Sequence, residues 1–139
     1  STWCQVSVAD GTSLFLQNHT REEREHMLKI IQYLKDLKID SVIPQIQKPT
    51  QKMKSLEQVC KISLDNERNV SKAIHKIINT AQKENDHRTN FFLEWFVREQ
   101  IEEEDLFESI LQKFDVIGRD KLAIHEIDKI LNNLSQKSN

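Results

Sequence analysis

"FVREQIEEED", residues 96–105, decides the fold. Five carboxylates, Glu99, Glu102, Glu103, Glu104 and Asp105, crowd a segment whose neighbours Phe92, Phe96, Leu106 and Ile110 recur as one face of a helix. Some of that acid must point into water. What matters is whether any of it points inward, and what could tolerate it there.

Working outward, the same three-and-four spacing extends over most of the chain. It predicts four helical segments, at about 10–38, 55–84, 88–116 and 120–134. Asp10 is the expected N-cap of the first, with Gly11 beside it, and Ser55 that of the second. Gly118 is the expected C-cap of the third, and the last carries Leu122, Ile124, Ile127, Ile130, Leu131 and Leu134. "KENDHRTN" (83–90) is a short break, which makes the helices on either side antiparallel neighbours. Residues 39–54 hold both prolines and no helical period. That connection is long enough to run the length of a bundle, the feature that separates bundles with a long crossover from simple up-and-down ones.

Composition agrees. With 139 residues the chain is one domain, and two glycines with two prolines leave little material for hairpins. No apolar run is long enough to cross a membrane, and no basic-then-apolar leader is present. Cys4 and Cys60 are isolated thiols that fit a reducing cytosol, so a cytoplasmic location is expected. A net charge of −2 gives no electrostatic reason to expect nucleic acid. The sequence opens on "STWC" without an initiator methionine, so a further segment upstream is expected.

Each buried stripe is interrupted near its middle. In the first helix it runs Leu16, His19, Glu23, His26, Ile30, Tyr33, Leu37. In the second it runs Leu56, Cys60, Ser63, Glu67, Val70, Ile74, Ile77, Ala81, and in the third Phe92, Phe96, Glu99, Glu103, Leu106, Ile110, Lys113. A single glutamate on such a face is usually an acid that snorkels to the edge. Four with a histidine, all at mid-helix, are another matter. Burying ionised carboxylates costs several kcal/mol each unless a positive charge neutralises them, and no lysine or arginine falls on the stripes at that level. Carboxylate oxygens with an imidazole suit iron, manganese or zinc. Glu23-x-x-His26 and Glu99 with Glu103 each place two donors one turn apart on one face, within reach of one ion.

These residues carry a resemblance. "REEREHMLKIIQYL" (21–34), "IPQIQKP" (43–49) and "TNFFLEWFVREQIEEEDLFESILQKF" (89–114) resemble the bacterial non-haem ferritins, and the likeness extends over essentially the whole chain. It implies an all-α, ferritin-like four-helix bundle with a long crossover and a short fifth helix. In that family a whole helix precedes "SxWC", supplying a further glutamate and a tyrosine, and Ser1–Ser7 resemble only its end. The first helix is thus expected to be largely absent from the chain as given. The resemblance also implies a homo-oligomeric cage of 24 subunits that oxidises Fe(II) with dioxygen or peroxide and stores a ferric mineral.

Carried over by position, Glu23 would bridge two irons and His26 would complete the first. Glu67 and Glu103 would hold the second, with Gln100 nearby to orient oxygen or water. Glu22, Glu99 and Glu102 would form a third iron site sharing Glu103 and facing the interior. Haem is not expected: the haem-binding relatives carry a second E-x-x-H where Glu103 is followed by Leu106, and a methionine where Arg24 stands. The competing function is a structural subunit of the cage with an incomplete, weakly active metal centre. A DNA-protecting mini-ferritin is disfavoured by the helix after Gly118.

Other residues have plainer readings. Trp95, His19, Cys4 and Cys60 are expected in the core, whereas His75, His87, His125, Glu104 and Asp105 are expected in solvent. Asp86 and His87 resemble the region lining the family's threefold channels.

Overall fold

The structure, a computed structural model, describes residues 10–48 and 52–137. Cys4 and the Ser1–Ser7 segment lie outside them. Four helices and no strand occur among the described residues: α1 (Asp10–Asp36), α2 (Leu56–Lys83), α3 (His87–Ile117) and α4 (Lys121–Lys137). The last is the short helix expected after Gly118. The chain divides into two compact units, one built on α1 with α4 and the other on α2 with α3.

The α2–α3 unit is an antiparallel hairpin closed by a three-residue turn. Ser55 caps α2 by accepting a hydrogen bond from Gln58 N at 3.1 Å. The helix ends as Asn85 turns left-handed (φ 55°) and Asp86 N donates back to Ala81 O at 2.7 Å. Asparagine tolerates that conformation better than most side chains. Asp86 then caps α3, its carboxylate accepting from both the hydroxyl and the backbone N–H of Thr89. Those two hydrogen bonds favour the charged form and hold the Asp86 carboxyl below its ordinary value.

The buried stripe of α3 is Leu93, Phe96, Gln100, Glu103, Phe107, Ile110 and Phe114. It shares Phe96, Glu103 and Ile110 with the expected stripe but replaces the alternate positions by their C-terminal neighbours. Phe92, Glu99, Leu106 and Lys113 are half-buried beside it. Both registers satisfy the three-and-four rule, and the chosen one buries Phe107 and Phe114 in place of Leu106 and a lysine. On α2 the buried stripe is Leu56, Val59, Cys60, Leu64, Glu67, Ile74 and Ala81, whereas Val70 and Ile77 are exposed. Ile74, Leu93 and Phe96 form a small core, and Trp95 meets Phe96 edge-on at 4.9 Å between centroids.

In the α1–α4 unit the residues fully buried on α1 are Gly11, Thr12, Phe15 and Asn18. The expected stripe from Leu16 to Leu37 is half-buried, apart from exposed Ile30. Partner choice explains the difference, because α4 packs on the first turns of α1 through a face that begins at Gly11. A methyl group at Gly11 would run into the Asp128 carbonyl oxygen and approach Asn132 Cβ to 2.8 Å, so only glycine permits this approach. Asp10 is the first helical residue rather than a cap. The capping acceptor comes instead from Asp128 of α4, whose Oδ1 accepts from Thr12 N and from the Thr12 hydroxyl, each at 2.7 Å. Asn18 donates to Ser135 O at 3.4 Å further along. On α4, Ala123, Ile127, Asp128, Leu131 and Ser135 are buried, whereas Leu122, expected inside, is exposed.

Among the described residues between α1 and α2 no helix forms. Lys38 adopts φ 59° while Ile39 N closes onto Leu34 O at 2.9 Å, ending α1 without a glycine. Residues 40–48 carry no regular structure, and Val42 and Ile46 are almost fully exposed.

Candidate metal centre

Each unit presents its own set of donor side chains. On α1, Glu23 Oε1 and His26 Nδ1 lie 3.4 Å apart, as the i, i+3 spacing requires. The His26 side chain is 14% exposed and Glu23 41%. Glu22 and His19 are half-buried on the same helix.

On the hairpin, Glu67 and Glu103 are 4% and 6% exposed, each in the middle of its helix. Gln100, one turn before Glu103 on the same buried stripe, is 5% exposed. Its Nε2 donates to Glu67 Oε2 at 3.0 Å and to the Glu67 carbonyl oxygen, also at 3.0 Å. Glu67 and Gln100 are therefore in direct hydrogen-bond contact. Glu99 is half-buried and Glu102 exposed, so the three acids Glu99, Glu102 and Glu103 grade from surface to core along one turn of α3.

The helix register explains the grading. Steps of one residue turn the helix by roughly 100°, so consecutive glutamates cannot share an environment. In the "EEED" run, Glu103 faces in and Asp105 faces water. Glu104 departs from its expected exposure. It is half-buried against α2, accepting from the Ser71 hydroxyl at 3.0 Å and lying 3.9 Å from Arg68 Nε. Arg68 also donates to Glu108 Oε1 at 2.9 Å. Ser71 in turn accepts from Gln100 Nε2 at 3.3 Å. Sequence reasoning passed over Ser71, Arg68 and Glu108. The available signal was spacing: Ser71 lies four residues after Glu67, and Glu104 four after Gln100. His75, His87 and His125 are exposed, and Cys60 is fully buried, as expected.

Taken unit by unit, the donor chemistry suits a divalent cation: a carboxylate and an imidazole on α1, and on the hairpin two buried carboxyl groups, one of which accepts from a neutral amide. An amide hydrogen bond orients the Glu67 carboxyl group without adding a charge beside it.

A family model described as a ferritin-like domain matches residues 1–117. The chain belongs to the ferritin-like family. This ferritin-like chain is 38% identical over 138 residues to a probable bacterial non-heme ferritin-like protein of Haemophilus influenzae, covering 99% of this chain and 84% of that one. A bacterial non-heme ferritin of Escherichia coli O6:H1 is 31% identical over the same shares. Among solved structures, an open pore ferritin from the hyperthermophilic archaeon Archaeoglobus fulgidus superposes with a TM-score of 0.88. It is 28% identical, over 94% of this chain and 81% of that one. A humanized archaeal ferritin gives a TM-score of 0.88 at 30% identity. The all-α, ferritin-like fold expected from the sequence is thus the observed one. No helix among the described residues is long and apolar enough to cross a membrane.

Proposed function

We propose that this chain stores iron and oxidises Fe(II), its substrate, as a subunit of a ferritin assembly. The observation that carries this reading is the burial of Glu67 and Glu103 at mid-helix in a chain of the ferritin-like family. Two acids so deep in a helical core are costly without a cation to receive them. The names of the relatives, non-heme ferritins, point to iron and away from haem.

In this reading Glu23 bridges two Fe(II) ions and His26 and Glu103 complete their ligand sets, with Glu67 on the second. Gln100 orients dioxygen, peroxide or water. Each Fe(II) gives up one electron, and one dioxygen takes both with two protons to leave as hydrogen peroxide. Sharing a bridging carboxylate holds the ions near enough for that two-electron step. Glu22, Glu99 and Glu102 bind a third iron beside the pair and pass it toward the mineral, with exposed Glu102 at the outer edge. The same reading makes the assembly a homo-oligomeric, cytoplasmic cage of 24 subunits; the exposed apolar side chains at Val42, Ile43, Ile46, Phe91 and Leu122 support contact with other subunits. In a lone chain they would remain in water.

The test is an oxygen-electrode measurement on wild type, Glu23→Ala and Glu22→Ala with Fe(II) added in small aliquots. Wild type is expected to consume oxygen in a fast phase saturating at two irons per chain. Glu23→Ala is expected to lose that phase. Glu22→Ala is expected to keep it while changing the iron-to-oxygen ratio in later additions. If Glu22→Ala matched Glu23→Ala in losing the fast phase, the separation into a pair and a third iron would be wrong.

A further inference from the structure

The hydrogen bonds on the α2–α3 hairpin have a direction, and it is fixed from outside the core. Ser71 carries one hydroxyl proton. It goes to Glu104 Oε2, 3.0 Å away, and Glu104 is a carboxylate that can only accept. With its proton committed, the Ser71 oxygen can only accept from Gln100, 3.3 Å away. The side of the Gln100 amide facing α2 must therefore be the nitrogen. The same orientation suits the Glu67 carbonyl oxygen and carboxylate, since an amide oxygen turned toward them would face two acceptors without a proton between. Arg68 anchors the outer end, lying against Glu104 at 3.9 Å and bonded to Glu108 at 2.9 Å.

We propose that Ser71 is a positioning residue of the iron site. Its hydroxyl, polarised by Glu104, fixes the Gln100 amide with nitrogen toward α2 and so presets the Glu67 carboxylate that receives the ion. This rests on the iron-binding reading above, and assigns a part in it to residues that are not ligands. Glu104 sets the sense of the Ser71 hydroxyl and Arg68 holds Glu104. Glu108 only braces the arginine at the surface.

Outer partners that orient a metal-binding side chain commonly change metal affinity or activity by about 10–100-fold when removed. The Ser71→Ala change deletes one of three acceptors around the Gln100 nitrogen, so about a tenfold loss is expected. Ser71→Thr keeps the hydroxyl and is expected to restore wild-type behaviour. Glu104→Gln offers the Ser71 hydroxyl an amide that can donate as well as accept. The chain then loses its fixed sense, and an intermediate loss is expected.

The experiment uses the full chain and two redox-inert probes: Zn2+ affinity by calorimetry and the visible absorption spectrum of bound Co2+. Glu67→Ala serves as the ligand-deletion control, and circular dichroism with melting temperatures confirms that every variant folds. The expected result is weaker Zn2+ binding and an altered Co2+ band in Ser71→Ala, recovery in Ser71→Thr, and no change in Glu108→Gln. If wild type binds both ions, Glu67→Ala loses them, and Ser71→Ala matches wild type in both readouts, the positioning role is overturned while the iron reading stands. Equal defects in Ser71→Ala and Ser71→Thr overturn it as well, because packing rather than the hydroxyl would then be responsible. A wild-type chain that binds neither ion overturns the iron reading and this proposal with it.

Discussion

Replacing Asp128 by alanine should be among the most damaging single changes in the α1–α4 unit. The carboxylate accepts two hydrogen bonds at 2.7 Å, from the backbone N–H and hydroxyl of Thr12, a residue with 0% exposure. A hydrogen bond to a charged group contributes about 1.5–3 kcal/mol, and a buried donor left unmade costs about 1–3 kcal/mol. The two bonds share one acceptor and one partner residue, so they do not add in full. An overall cost of about 3 kcal/mol is expected for Asp128→Ala, above the roughly 2 kcal/mol that losing a helix cap costs at most, because the buried Thr12 hydroxyl loses its acceptor as well. Asp128→Asn retains a neutral acceptor and should cost roughly half as much. For a chain of this size the alanine change corresponds to a fall in melting temperature of about 10 °C. Thermal unfolding followed by circular dichroism, at matched protein concentration and assembly state, gives the number. Hydrogen exchange at the Thr12 amide localises it. A melting temperature within about 2 °C of wild type, or an asparagine variant as damaged as the alanine one, would refute the view that this carboxylate caps α1.

Gly11→Ala should cost about 1–3 kcal/mol, read by the same melt, because the added methyl group lands on Asp128 and Asn132 of α4. Lys38→Gly should leave binding untouched and stabilise by about 1 kcal/mol, since a lysine at φ 59° holds a strained left-handed conformation that glycine adopts freely. Asp86 has its carboxyl held below the ordinary 3.8 by Thr89. Its capping is therefore complete above that pH and is lost as the pH falls through the lower native value; an acid titration of helicity should show a step that Asp86→Ala lacks. Glu103→Gln should abolish Zn2+ binding while leaving the metal-free fold as stable as wild type or more so, because a neutral amide of the same shape is cheaper to bury than a carboxylate. A strongly lowered melting temperature for metal-free Glu103→Gln would count against the buried-acid reading.

Much of this was legible in the sequence, and the reasons differ by element. Helix limits emerged within a few residues because caps and breakers are local: Ser55 and Gly118 act through neighbours a turn away. The depth of Glu67 and Glu103 was legible because each stands where an aliphatic residue should. The α3 register was not settled by pattern alone. Phe92/Glu99/Leu106/Lys113 and Leu93/Gln100/Phe107/Phe114 are both valid stripes, and only packing decides between them. Choosing the wrong one hid how deep Gln100 lies and made Glu104 look like surface. The buried face of α1 was illegible for another reason. It is set by a partner more than a hundred residues away, and no local period encodes that Thr12 will meet Asp128.

The pairing of α1 with α4 has a consequence in time. The bond from Thr12 to Asp128 spans 116 residues, whereas α2 and α3 are joined by a three-residue turn. Closing a long loop is slower than zipping a hairpin, and local contacts form first. On the ribosome, α2 and α3 emerge and can dock while α4 is still unmade. The first turn of α1, although synthesised before the hairpin, cannot be capped until α4 has left the ribosome with Asp128. The start of α1 is completed only after the hairpin that follows it.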